Sequence, residues 1–576
     1  MNIPSTTFIL VSLFLICSCD QQTQKDNKTL ADRIFTNGKI YTLDTDQPWV
    51  EAVAIKNNNI VYVGDNKGMR SWIGSETIQQ DLKGQMLLPG FIDSHAHPVA
   101  GGAYVNTLSL DTYSNPQGWL DEINDYSATN PDLEILFGYG FLASAFGLKG
   151  PTSQMLDSIE SKRPVLIMDE GFHAAWANSK AMQLLSISKK AIDPVPGFSY
   201  YKRDNNGNPT GYLLEGTASS AVKKLGVITV ESVSSGTADV IKIMNSYGIT
   251  SVFDAGALDV ESMQMDVLSK LTEQGKMTVR IVGSHMVASS ETIKNAIEIA
   301  ASKKATSQHG LYHINTLKIM NDGTIEGKTA GMFEDYQGES EIGNKGETVF
   351  SQQQLNGLVS KATEQDIDVH IHALGERTIF ETLNAIEFAQ KQFPNSSTRY
   401  TICHLQVMTD QSIQRMAQLN VIAQSTPLWA SYDEYGKAFV SDDQFQRYFR
   451  FNSLNKAGVK MAFGSDYPAT GAGVLGMSPI FNMEIGHTRQ AAGKADALIQ
   501  PNINERLEMQ TLIKAYTIDG AYQLHMEDQI GSIKVGKQAD FVILNENLFE
   551  VESYSIHKVK VVETILAGKT IYNIAN

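Results

Sequence analysis

Cysteine is nearly absent: the 576 residues contain three, Cys17, Cys19 and Cys403. No disulfide framework can be built from so few, so stability must come from a large hydrophobic core. Basic side chains are in deficit as well. Lys and Arg number 47 against 63 Asp and Glu, for a net charge of −16. That balance argues against nucleic acid or an anionic membrane surface as a partner, since both are held by basic patches. A small-molecule substrate remains open, and so does a homo-oligomer. The N-terminal apolar run, Phe8 to Cys17, is too short to span a bilayer. The remaining composition, 42% hydrophobic and 19% charged, is that of an ordinary globular protein. The length requires more than one domain.

That run reads as the core of a signal peptide, although no Lys or Arg precedes it. Ile16-Cys17-Ser18-Cys19 resembles a bacterial lipobox, with Cys19 lipidated and left as the new N-terminus. Residues 1–18 are then a lipoprotein signal peptide and 19–30 a polar tether. The expected location is the bacterial cell envelope, with a lipid anchor at Cys19 as the sole membrane contact. A plain secretory signal is the alternative.

Residues 31–87 carry short alternating strands separated by turn signals such as Asn37-Gly38 and Asn57-Asn58-Asn59. Residues 527–576 repeat the texture, in Gly531-Ser532-Ile533, Ala539 to Leu544 and Val559 to Tyr572. The two ends are expected to form one β-sandwich split around the central residues 88–526. The centre alternates apolar strands with helical stretches, the pattern of a parallel α/β sheet.

Within it, Leu87-Leu88-Pro89-Gly90-Phe91-Ile92-Asp93-Ser94-His95-Ala96-His97-Pro98 is an apolar run that re-enters as a strand and ends in two histidines. Side chains alternate on a strand, so His95 and His97 share a face and can grip one metal ion, typically zinc. Further histidines and an aspartate stand at later strand ends: His372, His404 and Asp466. Buried there unsatisfied they would be costly, and a shared metal satisfies them together.

With these motifs the chain resembles the amidohydrolase superfamily, and within it the amidohydrolase-3 group of metal-dependent hydrolases, from about Ala31 to the C-terminus. The resemblance implies a TIM-like (β/α)8 barrel, with the split β-sandwich beside it. Its eight strands are expected at His95 and His97, Thr250 to Asp254, Val279 to Val282, Leu317 to Met320, Val369 to His372, Tyr400 to His404, Val421 to Gln424 and Met461 to Asp466. It further implies that His95, His97 and Asp466 hold a deeper metal and His372 and His404 a second. A carboxylated Lys318 would bridge them, the alternative being an ion pair of Lys318 with Asp322. His370 is expected behind the ligands, and His285 is a weaker candidate.

A large insertion, about 102–239, follows the first barrel strand and is placed to act as a lid. It carries Gly171 to Ser179, resembling a segment of the group, in which His173 and Trp176 either touch substrate or pack in a core. Arg489 either holds a substrate carboxylate or makes a surface ion pair. Three residues depart from the group: Cys403 where a glutamate is usual, Thr426 before Pro427, and Trp429 near strand seven.

The function implied is metal-dependent hydrolysis of non-peptide carbon–nitrogen bonds in small amides, with Asp466 as general base and Glu376 in reserve. A deaminase, or a hydrolase of N-acyl amino acids or dipeptides, is the alternative on the same barrel. The non-enzyme alternative is a lipid-anchored binding protein.

Overall fold

Eight parallel strands carry the centre of the molecule, most of them buried on both faces as parallel strands under helices are. In the computed structural model, residues 1, 30–110, 114–196, 198–307, 310–338 and 342–575 are described. The expected leader and the lipid-bearing Cys19 lie outside them.

The strands run Phe91–Ala96, Ile249–Asp254, Arg280–Val287, Tyr312–Met320, Asp368–Ala373, Tyr400–His404, Ile422–Ser425 and Met461–Phe463, each paired with the next in parallel. They form a nearly closed (β/α)8 barrel. Across the seam between the eighth strand and the first, Asp466 N donates to His95 O at 2.7 Å and His97 N donates to Tyr467 O at 2.8 Å. Gly464 permits this approach, because a Cβ there would lie 2.4 Å from His95 N.

Helices fill the connections, and their starts are written locally. Ser351 caps Gln352–Glu364 in a reciprocal box with Gln354. Pro98 opens the short helix Pro98–Gly102 directly after His97. That helix packs on Val230–Ser246, where Gly236 is required, since a Cβ would stand 1.9 Å from Gly102 O.

The insertion holds its own six-stranded sheet, in the order Tyr201–Arg203, Pro209–Leu214, Ala174–Ala177, Val165–Asp169, Leu136–Phe141 and Leu108–Ser109. Trp119, Phe141, Ile167 and Trp176 form its core.

The chain ends combine in two sheets. A four-stranded one orders Asn59–Gly64, Ala52–Lys56, Arg33–Thr36 and Ile78–Asp81. A six-stranded one interleaves Lys569–Asn573, Val561–Leu566 and Phe541–Leu544 with Met86–Pro89, Lys39–Tyr41 and Trp49–Val50. Phe35, Val53 and Ile55 of the first sheet pack on Leu87, Phe541 and Ile565 of the second. Burying each such side chain stabilises by about 1.5–3 kcal/mol. One expected strand is missing: Gly531–Ile533 is irregular, and Ile533 N reaches Thr42 O at 2.8 Å.

Candidate metal centre

Strand ends one, four, five, six and eight bring His95, His97, Lys318, His372, His404 and Asp466 together, every one buried. Asp466 sits between the histidines. Its Oδ1 lies 3.2 Å from both His95 Nε2 and His97 Nε2, and its Oδ2 lies 3.9 Å from His404 Nδ1. The backbone is bent to allow this: His404 has φ of 75° and Asp466 of 56°. Left-handed non-glycine residues cost on the order of 1–3 kcal/mol each and cluster at functional sites.

Hydrogen bonds on the far side of two of the rings, His97 and His372, fix their tautomers. His97 Nδ1 meets Gly256 O at 2.6 Å, and a carbonyl only accepts, so the proton is on Nδ1 and the lone pair on Nε2. His372 Nδ1 donates to Asp322 Oδ1 at 2.9 Å, which leaves its Nε2 bare. Asp322 is itself held by the amides of Leu374 and Gly375. Behind His95, His370 Nε2 lies 2.9 Å from His95 Nδ1 and stacks on Phe253. His370 therefore stands behind His95 and braces its ring. Asp322 is the supporting residue that sequence reasoning misplaced, since it orients His372 and does not serve as the Lys318 partner.

Burial drives the imidazoles of His95, His370 and His404 well below the ordinary histidine range, so they are neutral at neutral pH. For Asp466, burial pushes the carboxyl up, but His97, His404 and Lys318 outweigh it and hold it below its usual value.

These residues fit a metal. His95 Nε2 and His404 Nδ1 are buried with no hydrogen-bond partner. Imidazole nitrogens and a carboxylate oxygen crowd together in a buried site, an arrangement that a shared cation makes favourable. Ligands about 2.0–2.1 Å from a tetrahedral zinc lie roughly 3.3 Å apart, close to the 3.2 Å separations here.

Comparison with known proteins agrees with this geometry. A family model described as "Amidohydrolase family" matches residues 79–572. The chain belongs to the amidohydrolase family. The exoenzymes regulatory protein AepA of Pectobacterium carotovorum subsp. carotovorum is 31% identical over 441 residues, 74% of this chain and 92% of that protein. The N-substituted formamide deformylase of Arthrobacter pascens is 24% identical over 562 residues, covering 94% and 98%. In fold, the chain resembles an uncharacterized metal-dependent hydrolase from Pyrococcus horikoshii OT3, with a TM-score of 0.69 at 22% identity, covering 90% of this chain and 99% of that one. As an amidohydrolase, the protein is a metal-dependent hydrolase acting on small molecules.

Other residues of this amidohydrolase fall inside or outside the centre. His173 is inside: its ring lies 5.8 Å from that of His372, and its Nδ1 pairs with Glu215 at 2.8 Å. Glu215 left no signal in the sequence, being one glutamate ahead of a helix. Trp429 also lines the centre, 5.5 Å from the His404 ring. Lys318 Nζ donates to Cys403 Sγ at 3.2 Å.

Two expected substrate contacts need correction. Trp176 is fully buried in the insertion core, its Nε1 donating to Thr152 O at 2.7 Å, so it packs the insertion's own sheet. Arg489 is fully buried too, and its guanidinium donates to the carbonyls of Gln500, Phe449, Tyr448 and Pro501. It ties loops together, its donors taken by backbone carbonyls. His285 is elsewhere, paired with Glu261 at 2.9 Å. Glu376, the reserve base, is engaged by Arg447 and Gln444.

Proposed function

We propose that this amidohydrolase cleaves a carbon–nitrogen bond in a small non-peptide amide, of the formamide, N-acyl or cyclic amide type, with zinc as its metal. The observation that carries the reading is the position of Asp466, one oxygen against His95 and His97 and the other facing His404. A metal bound there supplies Lewis acidity and an activated water. Asp466 is placed to take a proton from the attacking water and pass it to the nitrogen as the carbon–nitrogen bond breaks. His370, Asp322 and the Gly256 carbonyl keep the rings in the orientation this needs.

Relatives named N-substituted formamide deformylase and imidazolonepropionase support an amide or cyclic-amide substrate. A deaminase is disfavoured, because Glu376 is tied to Arg447 and is not free to shuttle protons. An N-acyl amino acid or dipeptide substrate loses its support with Arg489.

The test is a hydrolysis screen of zinc-loaded protein on formamides, N-acyl amino acids, hydantoins and lactones, with chromatographic detection of the cleaved or ring-opened product as the readout. Turnover of formamides or cyclic amides is expected; turnover of lactones alone would overturn the reading. We also propose that the mature chain is anchored to the cell envelope through Cys19, on the lipobox resemblance of Ile16 to Cys19. No helix among the described residues is long and apolar enough to cross a membrane. Two acyl chains suffice for a stable anchor, at about 0.8 kcal/mol per buried CH₂. Mass spectrometry of the membrane fraction should find diacylglyceryl on Cys19, and a soluble form starting elsewhere would exclude it.

A further inference from the structure

Cys403, the only cysteine among the described residues, stands inside the barrel directly before the ligand His404. Its sulfur receives a hydrogen bond from Lys318 Nζ at 3.2 Å and donates to Ile371 O at 3.3 Å. One ligand atom each from His95, Cys403 and His404 lie within 4.8 Å of one another. A buried cysteine by itself is an ordinary small apolar residue. Here a second observation points to a ligand: His95 Nε2 and His404 Nδ1, on side chains that are 1% and 4% exposed, have no hydrogen-bond partner.

We propose that Cys403 is a thiolate ligand of the metal centre, and that Lys318 stays an uncarboxylated ammonium hydrogen-bonded to that sulfur. The inference rests on the reading of this site as a metal centre. Bridging in the family resemblance needs one negative charge, which a lysine carbamate would supply. A thiolate supplies the same charge from strand six, across strand five. The carbamate would have to place a carbon and two oxygens on Nζ, where Lys318 is 1% exposed and already faces sulfur. An ammonium stabilises a thiolate by a charge-assisted bond, whereas a carbamate would repel it.

The chemistry balances without an oxidant. As the metal–sulfur bond forms, the S–H bond breaks and the proton leaves to solvent. Sulfur and imidazole together select zinc or cobalt over magnesium or calcium.

The test reloads the metal-free full chain with Co²⁺ alone and records its absorption. The expected spectrum has visible bands from bound cobalt and an intense near-ultraviolet sulfur-to-cobalt band. Cys403→Ser should keep the visible bands and lose the sulfur band. Visible bands without the sulfur band in the unaltered chain would overturn the proposal, as would a sulfur band unchanged in Cys403→Ser. Absence of all cobalt bands would overturn the metal reading itself, a distinct result. Should Cys403→Ser fail to fold, the unaltered zinc-loaded protein in ¹³C-bicarbonate decides. A carbamate carbon resonance overturns the proposal, and its absence, with the sulfur band present in the cobalt-loaded chain, upholds it.

Discussion

Asp93 on the first barrel strand accepts from Ser465 of the eighth, at 2.6 Å from Oγ and 2.9 Å from the amide. The pair lies across the seam of the barrel, fully buried, one residue before Asp466. Burial pushes the Asp93 carboxyl up to about 7, against the pull of these bonds from Ser465. Ser465→Ala removes the hydroxyl and leaves a buried carboxylate oxygen short of a donor. Such an orphan costs about 1–3 kcal/mol. The thermal midpoint should fall accordingly, with the far-ultraviolet spectrum unchanged. An unchanged midpoint would mean that the oxygen finds another donor.

Asp466→Asn separates proton transfer from metal binding. The amide oxygen still coordinates weakly, while the proton acceptor is gone. General base catalysis contributes ~10²–10⁴-fold, so kcat should drop by that order with most of the metal retained. His404→Asn should instead lose metal and activity together, in part restored by excess zinc. Metal content measured beside kcat for both variants decides. Near-normal turnover in a metal-loaded Asp466→Asn would remove this residue as the base, and Glu376, bound by Arg447, is no replacement.

Asp322 acts only through His372, whose Nδ1 it holds at 2.9 Å. Replacing a carboxylate behind a metal-bound histidine typically costs 10–100-fold in metal affinity or activity. Asp322→Asn should therefore weaken zinc retention against a chelator by about that factor. If Asp322 instead paired with Lys318, zinc retention would be untouched and stability alone would fall.

The alternation of apolar strands, Pro-Gly before the first of them, and histidines at strand ends made the barrel and the clustering of His95, His97, His404 and Asp466 legible. Those signals are local: a strand's period tells which face a residue occupies. They do not tell which side chain of another strand it meets. Lys318 and Cys403 are 85 positions apart, and only the register of strands four, five and six brings Nζ to sulfur. The partners of Arg489 are backbone carbonyls, which leave no trace in residue identity. Trp176 sits in a segment resembling the family's, but its alternation on a buried strand turns it into the insertion core while His173, just before that strand, faces the metal ligands. The left-handed turns at His404 and Asp466 were equally silent, since neither residue is a glycine.

The pair His173–Glu215 gives the amidohydrolase a pH-dependent brace at the mouth of the centre. Burial alone would lower the imidazole, but Glu215 at 2.8 Å, with Asp169 and Asp466 nearby, raises it to about 9. Unfolded, a histidine titrates near ~6.5. The folded chain therefore binds one more proton than the unfolded chain between those values. Stability from this pair is fully present below about pH 6.5 and is lost as pH rises through about 9. At 1.36 kcal/mol per unit, the pair contributes at most on the order of 3 kcal/mol. Thermal midpoints of the unaltered chain should fall across that window more steeply than those of Glu215→Gln, whose amide keeps the shape and loses the charge. Parallel profiles for the two proteins would show that His173 is neutral in the fold and that Glu215 only orients it.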